Sequence, residues 1–255
     1  MTEKPLQVRR DGAVDHVELN RPDVRNAFND ELIGELMSYA ARAAADRSLR
    51  AVVLSGAGPV FCAGADLAWM SRMATYSHEE NLRDAAAAAD VFAALNNLPV
   101  PLIARIHGAA LGGGVGVAAV ADIAIAETSA VFGLTEVKLG LVPSIIAPYV
   151  IAKIGESATR ELFLTGRRFS AAHALEIGLV HAVVSADALD DSVRGYVDEI
   201  LASGPEAIAV AKALVRDLVR ASSDAARTLT IETIATRRAS REAQERMTGF
   251  LKRGK

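Results

Sequence analysis

Ile106–Gly116, IHGAALGGGVG, is the stretch whose reading decides the fold. The residues before it, PVPLIARI (99–106), are short, apolar and β-branched with prolines at the start, which predicts a buried strand. The residues after it, VGVAAVA (115–121), predict a helix of small and apolar side chains. Gly112, Gly113 and Gly114 lie between. Three consecutive glycines cost chain entropy, so something demands them. One demand is close approach of a ligand to backbone amides: a turn that opens a helix leaves amides without intrahelical acceptors, and the helix dipole favours negative charge there. The other is a tight turn packed against a neighbouring segment.

Working outward, VFCAGADLAWM (60–70) repeats the pattern. A short strand is expected to run into Gly64, with a helix-like segment from Asp66. Upstream, Leu6–Arg9 and His16–Leu19 read as strands about the turn at Arg10-Asp11-Gly12. Asn29 is a suitable N-cap for a helix to about Ala45, and Arg50–Leu54 reads as a buried strand. Ser77 with Glu80 has the capping-box spacing for a long helix to about Asn97. Downstream, Asp122–Ala126, Ala130–Gly133 and Val180–Val184 read as strands. Gly155, Gly166 and Gly178 read as C-caps of short helices. Strands returning after helices at this rhythm indicate an α/β core with parallel pairing. The core is expected over residues 1–185 and a helical region over 186–255, broken near Ser203-Gly204-Pro205 and Ala221-Ser222-Ser223. The apolar stripe Ile208, Ala211, Leu214 and Leu218 must be covered, by the chain's own core or by another subunit.

Composition excludes several classes. With 255 residues, the chain suits one sizeable core. A net charge of −3 gives no nucleic-acid footprint. Cys62 is the lone cysteine, so no intrachain disulfide can form, which fits a reducing, cytoplasmic setting. The N-terminal MTEKPLQVRRDG lacks the apolar region of a secretory signal, and the alanine run after Asp84 is too short to span a bilayer. His16, His78, His107, His173 and His181 show no metal-ligand spacing, so no metal is expected.

The order FCAGADL … HGAALGGGVG … DIAIA … FGLTEVKLGLVP resembles the crotonase family of enoyl-CoA hydratases and isomerases. The likeness extends from LNRPDVRNAFN to MTGFLKR. It implies a crotonase-like (ClpP/crotonase) spiral of ββα turns, followed by C-terminal helices that build trimers, often paired into hexamers. It implies an acyl-CoA thioester substrate, with coenzyme A as part of the substrate and no separate cofactor. It also implies an oxyanion hole from one backbone amide of each turn, which here are Ala65 and Gly113. Asp66, Leu67 and Ala68 would line the acyl-CoA crevice, although Asp66 itself reads as an N-cap and Cys62 as a small buried residue. Arg25 would meet a CoA phosphate, and Phe250 and Arg253 the adenine end.

Hydratases of the family usually carry two glutamates. Here one of those positions is Gly116 and the other is Glu136. From spacing alone Glu136 reads equally as a solvated loop carboxylate; the family register makes it the acid–base group. GADLAWM and FGLTEVKLGLVPSIIAPYVIAKIG resemble a bacterial subgroup acting on branched acyl groups of the methylglutaconyl-CoA type. The resemblance therefore implies a hydratase, with a Δ3–Δ2 enoyl-CoA isomerase or an impaired acyl-CoA-binding homologue as alternatives. Trp69, Met70 and Met73 read as pocket walls or as core, His107 as packed or hydrogen-bonded, and Asp122 and Glu127 as structural.

Overall fold

The computed structural model describes residues 4–253, without the side chains of Arg220 and Arg253. Strands are β1 Leu6–Asp11, β2 Val14–Leu19, β3 Ala51–Gly56, β4 Leu102–Ile106, β5 Ala109–Leu111, β6 Ile123–Glu127, β7 Val131–Gly133, β8 Arg168–Ser170 and β9 Ala182–Val184. Helices are α1 Asp30–Ala45, α2 Leu67–Met73, α3 His78–Asn96, α4 Gly113–Val120, α5 Ala147–Thr165, α6 Ala171–Glu176, α7 Leu189–Ala202, α8 Pro205–Arg220, α9 Ser223–Ala239 and α10 Arg241–Arg253. The larger sheet has the order β1-β2-β3-β4-β6-β9, and the smaller one β5-β7-β8. β1 pairs antiparallel with β2, and the larger sheet is parallel from β2 onward.

Alternation along the strands sorts side chains between two cores. Val52, Leu54, Leu102 and Ala104 join the main core with α1, α3, α4 and α5. Ala51, Val53, Ile103 and Ile125 face the other way and meet Leu189, Val193, Val197 and Ile200 of α7. The first long helix after residue 185 is thus a layer of the sheet. Beyond it α8 is tethered by polar contacts: Lys212 Nζ donates to Val100 O at 3.0 Å and pairs with Asp122 at 2.6 Å. Glu242 of α10 accepts from the Glu206 and Ala207 amides at 3.0 Å each, capping the start of α8.

The local signals translate into the expected elements. Asn29 accepts from Leu32 N at 2.9 Å and starts α1. Ser77 and Glu80 form a full capping box on α3. α8 opens at Pro205 and α9 at Ser223. Three expectations are corrected. Residues 60–63 make no extended strand; Cys62 and Ala65 form isolated bridges to Ala110 and Phe28. The glycine-rich stretch is more than a turn, because AAL within it forms β5, and RFS forms β8. Gly155 (φ 75°, ψ 168°) does not end its helix but kinks it, and α5 resumes to Gly166.

Candidate active site

Two chain crossings bring the glycine turns together. Phe28 N donates to Gly64 O at 2.7 Å and Asp66 N to Phe28 O at 2.9 Å. Pairing of this parallel kind turns the intervening residue's own amide away from the partner strand. The Ala65 amide therefore faces away from Phe28, and it has no acceptor among the described residues. Cys62 N donates to Ala109 O at 3.0 Å and Leu111 N to Cys62 O at 2.9 Å, which sets the first turn against the second. Gly112 has φ +49° and caps α4, so Gly113 is the first helical residue and its amide has no intrahelical acceptor.

Ala65 and Gly113 line one cavity of about 160 Å³. Its walls are apolar: Ile33, Trp69, Ala88, Phe92 and Ile146 contribute, together with Phe28. Phe28 and Phe92 stand with ring centroids 5.8 Å apart. Glu136 opens a short 3-10 turn after β7 and enters the same cavity. Its Oε2 is buried with no hydrogen-bond partner, an uncommon state for a carboxylate. Burial pushes its pKa above the usual glutamate range, opposed only by its own backbone amide. Glu136 is therefore not a fully solvated loop carboxylate.

Gly116 lies deeper in α4. A Cβ there would stand 2.4 Å from Ile146 Cγ2 and 2.8 Å from Phe92 Cε1. Its missing side chain leaves no space, since Ile146 and Phe92 fill that volume.

The remaining residues singled out from sequence fall into distinct places. Asp66 is the N-cap of α2, accepting from Ala68 N at 2.8 Å and Trp69 N at 3.2 Å, and it pairs with Arg21 at 2.7 Å. Burial opposes its ionisation, but the Arg21 guanidinium and the two amides hold its pKa low. Its carboxylate is fully engaged, whereas Leu67 (82% exposed) and Ala68 are exposed and do not line the cavity. Arg25 is exposed in a left-handed turn (φ 56°), and its carbonyl accepts from Ala63 N at 2.9 Å beside the first glycine turn.

Phe250 is 72% exposed on α10 and does not line this cavity; the side chain of Arg253 lies outside the described residues. Cys62 is buried, and its thiol is pushed up to about 12 by desolvation. His107 Nε2 bonds Gly58 O at 2.9 Å, and Glu127 accepts from Gly108 N at 2.8 Å. Trp69 is a cavity wall, fixed by its indole N–H donating to Asp84 at 3.1 Å, whereas Met73 packs against the core. Sequence reading missed Phe28, Phe92, Ser144 and Ile146 as cavity residues, because nothing in their local pattern separates wall from core.

A wider groove of about 1090 Å³ runs along the face of the sheet beside α7. Its ion pairs include Arg105–Asp190 at 2.5 Å and Arg9–Asp11 at 3.4 Å, and no residue assigned to acyl-CoA lines it. Among the described residues no helix is long and apolar enough to cross a membrane.

The sequence profile described as Enoyl-CoA hydratase/isomerase matches residues 9–255. A short-chain-enoyl-CoA hydratase of Clostridium acetobutylicum is 30% identical over 250 residues, covering 97% of this chain and 95% of that one. The crystal structure of an enoyl-CoA hydratase from Shewanella pealeana superposes with a TM-score of 0.94 at 36% identity, covering 98% of this chain and 94% of that one. Pseudomonas aeruginosa AtuE superposes with a TM-score of 0.95 at 35% identity, covering 98% and 97%. The chain belongs to the enoyl-CoA hydratase/isomerase (crotonase) family and has the crotonase fold.

Proposed function

We propose that the protein is an enoyl-CoA hydratase that adds water to a 2-enoyl-CoA with Glu136 as its acid–base group. The observation that carries this reading is the buried, unpartnered Oε2 of the desolvated Glu136 carboxyl, sharing a small apolar cavity with the acceptor-free amides of Ala65 and Gly113. The thioester oxygen accepts from the Ala65 and Gly113 amides. Glu136 takes a proton from water as its oxygen bonds to C3, and the C2=C3 electron pair moves toward the thioester oxygen. The same carboxyl then returns the proton to C2. Fixed amides need no reorganisation as charge develops, and one such donor is worth about 10²–10³ in rate.

Leu67 and Ala68, with the Asp66-capped turn, would line the mouth, and Arg25 would meet a CoA phosphate. Phe250 and Arg253 would meet the adenine end across a subunit boundary. No cofactor beyond the substrate's coenzyme A is required. The exposed apolar residues Val215, Val219, Ile231, Ile234 and Leu251 support a homotrimer or a pair of trimers. The subgroup resemblance favours a branched acyl group. A methylglutaconyl carboxylate would have to point out of the cavity, because no cationic side chain lines it.

A lone carboxylate also supports a second reading, a Δ3–Δ2 enoyl-CoA isomerase, in which one group shuttles a proton between carbons. The test offers purified protein a 2-enoyl-CoA and a 3-enoyl-CoA. Loss of 2-enoyl absorbance with formation of the 3-hydroxyacyl product supports the hydratase. Conversion of the 3-enoyl substrate alone selects the isomerase. No turnover of either, with Glu136→Gln binding CoA as the wild type does, leaves an acyl-CoA-binding homologue.

A further inference from the structure

Hydration needs the water held as well as deprotonated. One contact is Glu136. The second glutamate position is Gly116, and the clash of its ideal Cβ with Ile146 and Phe92 closes that route. Of the residues that line the cavity, three have polar side chains: Glu136, Trp69 and Ser144. The Trp69 indole N–H is engaged by Asp84 at 3.1 Å.

Ser144 differs. Its backbone is tied down, with its N–H donating to Val142 O at 2.8 Å and its carbonyl accepting from Ala147 N at 3.3 Å, at the entry to α5. Its hydroxyl makes no hydrogen bond to a described residue. It sits two residues before Ile146, the residue that fills the space at Gly116. The loop carrying it is anchored to Glu136 through Leu141 N donating to Glu136 O at 3.1 Å. Ser144 is exposed to water and shares with Glu136 the lining of the cavity of about 160 Å³.

We infer that Ser144 is the second water-holding residue, its hydroxyl oxygen accepting the O–H that water retains while Glu136 takes the other. The serine neither gains nor loses a proton. It orients one lone pair of the water toward C3, and after addition it accepts from the new 3-hydroxyl. A hydroxyl suits this wall because it adds no second charge to a desolvated carboxyl.

This inference rests on the hydratase reading, and its test separates the two. Hydration of a 2-enoyl-CoA is measured for the wild type, Ser144→Ala and Ser144→Thr, alongside calorimetric titration with a saturated acyl-CoA. Ser144→Ala is expected to lower kcat about five- to tenfold, the worth of one neutral hydrogen bond, with the saturated ligand bound as before. Ser144→Thr, which keeps the hydroxyl, stays within about twofold of the wild-type kcat, well above the alanine variant. A kcat for Ser144→Ala within twofold of the wild type overturns the assignment. So does a loss that appears equally in the affinity for the saturated ligand, because Ser144 is then only a wall. Absence of hydration by the wild type itself fails the parent reading instead, and the inference with it.

Discussion

Gly112 and Glu136 stand face to face: a methyl group placed on Gly112 would lie 3.1 Å from Glu136 Oε1. The left-handed backbone of Gly112 and its missing side chain together let the carboxyl close on the start of α4. One residue starts the helix whose first amide is free, and the other brings the proton carrier to it. Their proximity links main-chain geometry to acid–base chemistry.

Glu136→Gln is expected to reduce kcat by about 10²–10⁴, the usual range for one positioned acid–base group. Steady-state kinetics on the 2-enoyl substrate checks it, with circular dichroism to confirm that the fold persists. A fall of less than tenfold would displace Glu136 from the mechanism.

The same substitution is expected to stabilise the protein at neutral pH. Burial raises the pKa of Glu136 in the folded state above its unfolded value. The folded form then binds more protons in the window between the two values, so stability falls as pH rises through it. Above that window the cost is fully present, and glutamine removes it. Thermal unfolding at pH 7 should give a higher Tm for the variant, and the gain should vanish below the ordinary carboxylate range.

The acid limb of kcat/KM should follow Glu136. Activity is expected to decline at a pH above the usual range for a solvated glutamate, because the base must be ionised to accept a proton from water. A limb at or below that range would contradict the desolvated setting.

Gly116→Ala is expected to destabilise the protein by about 1–3 kcal/mol, the cost of forcing a methyl into a filled core. The ideal Cβ is 2.4 Å from Ile146 Cγ2, so α5 or the Phe92 ring must shift. Urea denaturation measures this. Pairing the change with Ile146→Ala, which removes Cγ2, should cost less than the sum of the two single changes, and a fully additive pair would argue against direct contact.

Asp66→Ala removes a helix cap and leaves the largely buried Arg21 guanidinium without its carboxylate, for a combined loss of about 3 kcal/mol. Because Asp66 N also bonds Phe28 O beside Ala65, activity should fall more than the stability loss alone explains. Kinetics well below the unfolding temperature would separate the two effects.

Much of this architecture is written in local sequence. Asn29, the Ser77–Glu80 pair and Asp66 announce helix starts, because each side chain bonds amides within a few residues. Periodic apolar runs announce β3, β4 and β6, because a strand buried on both faces must be apolar throughout. β5 and β8 escape because three residues are too few for a period to register. Gly155 misleads because a positive φ ends one helical run without preventing the next. The two glycine turns and Glu136 are visible as motifs, but the depth of the carboxyl depends on chain crossings far apart in sequence. The tenants of the space at Gly116, Phe92 and Ile146, belong to α3 and the entry to α5, and no local pattern names them.

The occupied space at Gly116 also imposes an order on change. A single codon change to glutamate at this position would meet Ile146 and Phe92 before it met any substrate. Those two neighbours would have to shrink first, each opening a void in a sound core for no catalytic return. The arrangement works as a lock: while isoleucine and phenylalanine hold that volume, an acid placed there loses packing before it can reach a substrate.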